Sequence, residues 1–184
     1  MKILVFIANG TEDSELVTTI SLLKRANIDS LLISAEDSIY VNGSHSLKIT
    51  ADETLSNLSI RKMLDYDGLF FPGGKRGVAT IKEKDMVIEL IKEYNLRGKP
   101  LMAICAAPTI LGKAQVLNNK KYTCYDGFNE EITDGEFVKG APSIRDKNII
   151  TGRSAGHTTE FALTIIEYLK GKEESERIAK AILL

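Results

Sequence analysis

One thiol stands where a thiol can react. Cys105 closes the run Leu101-Met102-Ala103-Ile104-Cys105 and is followed by Ala106-Ala107-Pro108-Thr109. An apolar strand ending in a small-residue turn before a helix is the pattern of a nucleophile elbow, where the backbone bends sharply and substrate must come close. The helix that follows presents free N–H groups and a partial positive charge, both of which favour thiolate. On that reasoning Cys105 titrates below the ~8.5 of a free thiol. A buried structural cysteine has the same neighbours, because free Cys is commonly buried, and the local pattern leaves both readings open.

Two further segments carry groups that could assist it. Asn9-Gly10-Thr11-Glu12-Asp13-Ser14-Glu15 follows the first apolar run and opens a helix. Glu12 and Asp13 suit the positive end of that helix, and Asp13 or Ser14 suits its cap. Glu15 precedes Leu16-Val17 and so borders the buried face, where desolvation raises a carboxyl pKa. The second segment is Phe71-Pro72-Gly73-Gly74-Lys75-Arg76-Gly77. Its glycines let backbone N–H groups approach an oxyanion or a phosphate, although the order is neither a dinucleotide fingerprint nor a Walker loop. A tight strand-to-helix turn accounts for it equally. His45 and His157 are too few and too poorly spaced to form a zinc site with the cysteines. His157 opens a helix on the same expected rim, and Cys124, in Tyr122-Thr123-Cys124-Tyr125, reads as structural.

Short apolar runs at Lys2–Ala8, Ser30–Ala35, Asp67–Phe71, Pro100–Ile104 and Asn148–Thr151 predict parallel strands buried on both faces. Between them, Ser14–Ala26, Lys84–Tyr94, Ala106–Ala114, Thr158–Lys170 and Glu173–Ala181 predict helices, with Leu16, Ile20 and Leu23 at helical spacing in the first. The alternation implies βαβ units, an α/β class and a mostly parallel sheet between two helical layers. Asp37–Thr50, with Asn42-Gly43 as a turn, and Tyr122–Val138 interrupt the alternation and read as antiparallel excursions at the sheet edge. Ligands of such sheets bind beyond the carboxyl ends of the strands, which gathers the Glu15, Gly74, Cys105 and His157 segments on one rim.

The bulk numbers narrow the partners. The chain has 184 residues, 43% hydrophobic and 27% charged, with a net charge of -1 and no Trp. This suits a single domain spanning residues 1–184 with a sizeable core. Nothing in the charge balance attracts nucleic acid or an anionic membrane, and no apolar run approaches the ~20 residues of a membrane span. With only Cys105 and Cys124 a disulfide framework is not expected. The expectation is a cytoplasmic domain.

Taken together, Gly10-Thr11-Glu12-Asp13-Ser14-Glu15, Phe71-Pro72-Gly73-Gly74, Ala103-Ile104-Cys105-Ala106-Ala107-Pro108-Thr109 and Thr151-Gly152-Arg153-Ser154-Ala155-Gly156 resemble the ThiJ/PfpI superfamily, on the branch of the Parkinsonism-associated deglycase and its bacterial chaperone-like relatives. The resemblance implies a flavodoxin-like three-layer sandwich, a homodimer, and Cys105 in a strained elbow. It makes Glu15 a protonated acid bonded to the cysteine sulfur, and the Gly74 and Ala106 N–H groups oxyanion donors. It places Gly73, Tyr125, Arg153 and His157 among the pocket candidates, with Arg25 near the dimer interface, and implies no cofactor and no metal. Where the deglycase carries a histidine near the cysteine, this chain has Tyr125, a weaker proton carrier near neutral pH. Ala106 stands where the protease branch has its catalytic histidine, and His157-Thr158-Thr159-Glu160 lacks the amidotransferase H-x-E spacing. Two functions follow. One is a cofactor-free enzyme acting on small dicarbonyls or glycated protein adducts; the other is a redox-responsive chaperone or oxidative-stress sensor working through oxidation of Cys105.

Overall fold

The structure is a computed structural model describing residues 1–184. In chain order the strands are β1 (Lys2–Ile7), β2 (Asp29–Ser34), β3 (Tyr40–Asn42), β4 (Lys48–Thr50), β5 (Glu53–Thr54), β6 (Gly68–Phe71), β7 (Leu101–Ile104), β8 (Lys121–Tyr122), β9 (Glu136–Phe137), β10 (Ser143–Asp146) and β11 (Ile149–Gly152). The helices are α1 (Asp13–Arg25), α2 (Ile60–Met63), α3 (Lys75–Lys82), α4 (Asp85–Leu96), α5 (Pro108–Lys113), α6 (Thr158–Lys170) and α7 (Lys172–Ala181).

The main sheet runs in the order β10-β11-β7-β6-β1-β2-β5, and only the β10–β11 pairing is antiparallel. Strand β1 shows why its sequence is apolar from Ile3 onward. Leu4 and Phe6 point into the core layer beneath α3, α4 and α5, while Ile3, Val5 and Ile7 point into the layer beneath α1, α6 and α7. Alternate residues of a strand face opposite sides, so a strand covered on both sides has no polar positions. Phe6 stacks on Phe71 of the neighbouring strand β6 with ring centroids 5.3 Å apart, locking the sheet centre on one face. Chain order reverses between β1 and β6, which makes their carboxyl ends the expected crevice.

Departures from the sequence reading lie at the periphery. Residues 37–50 do form an antiparallel pair, Tyr40↔Thr50 through Asn42↔Lys48, but it stands as a separate hairpin, and β5 occupies the sheet edge. Tyr122–Val138 is not an antiparallel excursion, because β8 and β9 pair in parallel as a second small sheet. The true antiparallel edge is β10, whose half-exposed residues lack the apolar run that marks the buried strands. The Gly73-Gly74 segment leads directly into a helix, α3, as a strand-to-helix turn there requires, although 75–82 is not among the helices expected from periodicity. Neither Asp13 nor Ser14 caps α1; Glu12 sits at the N-cap without a side-chain cap bond.

Candidate functional site

Cys105 follows the last residue of β7 and adopts φ +64. A non-glycine residue in the left-handed region carries strain, and here two main-chain bonds hold it. Its N–H donates to Gly152 O at 3.0 Å on β11, and its carbonyl accepts from Tyr125 N at 2.9 Å. Ala106 and Ala107 after it are buried, so larger side chains have no room at the turn.

Glu15 lies in the first turn of α1 and is fully buried. The loop before it is stitched to the segment after β6: Glu12 N donates to Gly73 O at 2.9 Å, and Gly73 N donates to Glu15 Oε2 at 2.8 Å. Gly73 is needed for that approach. A Cβ there would lie 2.4 Å from Glu15 Oε2 and 2.6 Å from Cys105 Cβ. Gly74 is tighter still, with φ +95 and a virtual Cβ only 2.1 Å from Gly10 O.

Burial raises the Glu15 carboxyl to about 7, against weaker opposing pulls from Cys105 and the Gly73 N–H. Opposing pulls act on the thiol that the sequence places low. Burial, followed by the Glu15 charge and its hydrogen bond, pushes the Cys105 thiol up, while the Ala106 and Gly74 N–H groups pull it down. The upward pull of Glu15 exists only while the carboxyl is ionised. Two acids in contact and out of water cannot both ionise cheaply, so the pair keeps at least one proton near neutral pH. Neither the Gly74 nor the Ala106 N–H is used by a backbone carbonyl, and both favour the charged form of the sulfur.

An open cleft of about 490 Å3 joins Glu15, Gly74, Cys105, Ala106 and Tyr125. Arg153 and His157 do not line it. They border a neighbouring pocket that shares Tyr125 and Ser154 with the cleft, where Arg153 bonds Asp126 at 3.1 and 3.3 Å and His157 Nδ1 bonds Ser154 Oγ at 2.9 Å. There the Asp126 carboxylate holds the Arg153 guanidinium and the Ser154 hydroxyl holds the His157 ring. Arg25 is exposed in the last turn of α1, and its carbonyl accepts from Arg177. Cys124 is wholly buried in the layer beneath α3, α4 and α5, with its thiol pushed up to about 12 by burial.

The cleft also holds residues that the sequence reading passes over. His45 reaches it from the hairpin turn, with Nδ1 2.9 Å from Ser44 Oγ. Glu12 lines it too, and accepts from Ser44 Oγ at 2.7 Å, while Asp13 accepts the His45 N–H at 2.7 Å. No local pattern marks His45, because the carboxylates that tie its turn in place lie 32 residues away from their partners. No group of three or more His, Cys, Asp or Glu side chains comes together as a metal site, and no helix is long and apolar enough to cross a membrane.

Residues 1–168 match the model of the DJ-1/PfpI family. The chain belongs to that family. Protein dj-1beta of Drosophila melanogaster is 32% identical over 182 residues, covering 98% of this chain and 96% of that protein. A DJ-1 superfamily protein from Salmonella typhimurium, solved as a cysteine-to-alanine mutant, superposes with a TM-score of 0.91 at 30% identity, over 99% of this chain and 97% of that one. The chain spans 41% of DJ-1 homolog B and 46% of DJ-1 homolog A from Arabidopsis thaliana, less than half of either. The sandwich is thus the flavodoxin-like fold of DJ-1/PfpI proteins. In this DJ-1/PfpI chain, where Tyr125 is 51% exposed beside the cysteine, the histidines at the rim come from the hairpin and from the turn before α6.

Proposed function

We propose that the chain is a cofactor-free enzyme that converts reactive dicarbonyls such as methylglyoxal, or their early protein adducts, through Cys105 and Glu15. The observation that carries this is the placement of a buried acid beside the elbow thiol. A fully buried glutamic acid, anchored by the Gly73 N–H, packs beside the cysteine at a left-handed elbow, close enough that a Cβ on Gly73 would touch both. With the proton on Glu15, the sulfur is thiolate and attacks the aldehyde carbon, forming the C–S bond of a hemithioacetal. The Gly74 and Ala106 N–H groups turn from sulfur to the new oxyanion, which takes the Glu15 proton. The Glu15 carboxylate then removes the proton from the former aldehyde carbon, giving an enediol as the ketone oxygen is protonated. It returns that proton to the adjacent carbon, while the hydroxyl on the former aldehyde carbon gives up its proton to become the thioester carbonyl. The product is a 2-hydroxy thioester, and water releases the hydroxy acid and restores the thiol. Methylglyoxal plus water gives lactate, with no oxidant or reductant.

The test is lactate formation from methylglyoxal by the wild type, Cys105→Ser and Glu15→Gln. Cys105→Ser abolishes turnover, and Glu15→Gln lowers it by ~10² or more, the usual weight of a general acid–base group. Turnover unchanged in Glu15→Gln removes Glu15 from the mechanism. The redox reading keeps one support: a half-buried sulfur facing two uncommitted N–H groups can be oxidised by peroxide and hold sulfinate oxygens there. Holdase activity gained on peroxide treatment, without dicarbonyl turnover in the reduced protein, would reverse the order of the two.

A further inference from the structure

Beside the Cys105 cleft lies a second cavity of about 560 Å3, walled by Asn9, Asn42, Ser44, Ser46, Lys75 and Arg76 and by no hydrophobic residue. The two share Lys75. Ser44 and His45, adjacent in the hairpin turn, face the second cavity and the cleft respectively. Neither Lys75 nor Arg76 enters an ion pair. The carboxylates nearby are committed elsewhere: Glu12 accepts from Ser14 and Ser44, Asp13 from the His45 N–H, and Glu36 from the Asn9 N–H. None of the three lines the cavity.

The main chain on the loop and hairpin side of this wall is fastened too, with Gly10 N on Asn42 O, Gly43 N on Leu47 O and Ser44 N on Thr11 O. On that side the open donors are therefore side chains, and Lys75 and Arg76 at the start of α3 add two cationic ones. The Arg76 stem packs so closely on Gly10 that a Cβ there would lie 2.7 Å from Arg76 Cβ, which holds the base of this side chain against the wall.

We propose that this cavity is a phosphate subsite. Two adjacent cations that enter no ion pair match a dianion better than a carboxylate's single charge. Three terminal oxygens also use the surrounding donors, the Asn42 amide and the Ser46 hydroxyl, which two oxygens would leave unfilled. Because Lys75 belongs to both cavities, the compound handled at Cys105 is a phosphomonoester bearing a reactive carbonyl, with phosphate on Lys75 and Arg76 and the carbonyl at the sulfur. This second half rests on the carbonyl chemistry proposed for Cys105; the phosphate subsite does not.

Inorganic phosphate is the probe, titrated against the full chain by 31P NMR line broadening. Arg76→Ala keeps the Cβ that packs on Gly10, and circular dichroism checks the fold of each variant. Binding saturates in the wild type, weakens at least ~10-fold in Arg76→Ala, and disappears in Arg76→Glu, while equimolar acetate does not displace phosphate. Arg61→Glu, the same charge change on α2, leaves it unchanged. The subsite is overturned by any of three results: no saturable phosphate, equal binding by Arg76→Glu, or equal loss in Arg61→Glu. Displacement by acetate overturns the preference for phosphate.

The link to Cys105 is read separately, as protection of the thiol from iodoacetamide by reversible hemithioacetal formation. Glyceraldehyde 3-phosphate protects at ~10-fold or more lower concentration than glyceraldehyde, and Arg76→Glu removes that advantage. Equal protection by the two aldehydes breaks the link. Failure of methylglyoxal turnover sinks the enzyme reading and leaves the phosphate titration standing.

Discussion

Glu15 shows how one buried group turns position into chemistry and into pH dependence. Its carboxyl is raised from 4.5 to about 7, chiefly by burial. Between those values the folded chain keeps a proton that the unfolded chain has released. The stability contributed by the neutral form is therefore complete below about 4.5 and lost as pH rises through about 7. At ~1.4 kcal/mol per pH unit the loss amounts to ~3 kcal/mol. Urea titrations of Cys105→Ser and Cys105→Ser/Glu15→Gln across this window isolate it from the thiol. The single variant should lose about that much relative to the double variant as pH rises. A difference that stays constant with pH means Glu15 is not held neutral. The thiol follows the same logic in reverse: its tendency to ionise depends on where the shared proton sits, so Glu15→Gln should shift the pH dependence of Cys105 alkylation.

At the scale of elements, the site depends on three strand ends approaching more closely than ordinary side chains permit. Gly74→Ala would drive a Cβ to 2.1 Å from Gly10 O, and its φ of +95 already disfavours any L side chain. Gly98 also has positive φ, but a Cβ there meets nothing within 4 Å. Gly98→Ala should therefore cost only the left-handed penalty, ~1 kcal/mol. Gly74→Ala should cost several times more, because backbone must move as well. Equal midpoints for the two variants in denaturant would contradict the close approach. The β3–β4 hairpin is tied to the start of α1 by the His45 N–H on Asp13 and the Ser44 hydroxyl on Glu12. Asp13→Ala removes one tie worth ~1 kcal/mol. Amide exchange at His45 should quicken about fivefold while the core strands stay protected.

Across the whole molecule the two cysteines fall into opposite layers of the sandwich, and this predicts their reactivity. Cys105 packs at the edge of the layer beneath α1, α6 and α7 and is half-buried; Cys124 is fully buried in the other layer. Alkylation of native protein should label Cys105 alone, whereas Cys124 should react only when the core opens. The Cys124 rate in the Cys105→Ser variant should therefore rise in step as denaturant lowers global stability. Labelling of both thiols at similar rates would mean that the layer beneath α3, α4 and α5 opens independently of the rest. That layer contains the stacked Phe6–Phe71 pair at the sheet centre, so independent opening would have to separate strands β1 and β6.

The strands β1, β2, β6, β7 and β11 are legible in the chain because burial on both faces erases polar positions from a strand. The elbow is legible because a sharp turn between strand and helix tolerates only small residues, as at Ala106 and Ala107. Glu15 is legible as a carboxyl beside an apolar helix face. Its burial against Gly73, 58 residues away, is not, because that contact exists only once β6 lies beside β1. The same holds for His45, brought to the cleft by a hairpin that anchors 32 residues upstream, and for Arg153 and His157, held by Asp126 and Ser154. The parallel β8–β9 pair and the β10 edge carry too few buried side chains to leave a periodic mark. Local pattern reports which face of an element meets water. Which distant residues meet each other is set by strand order, and only the folded chain contains that information.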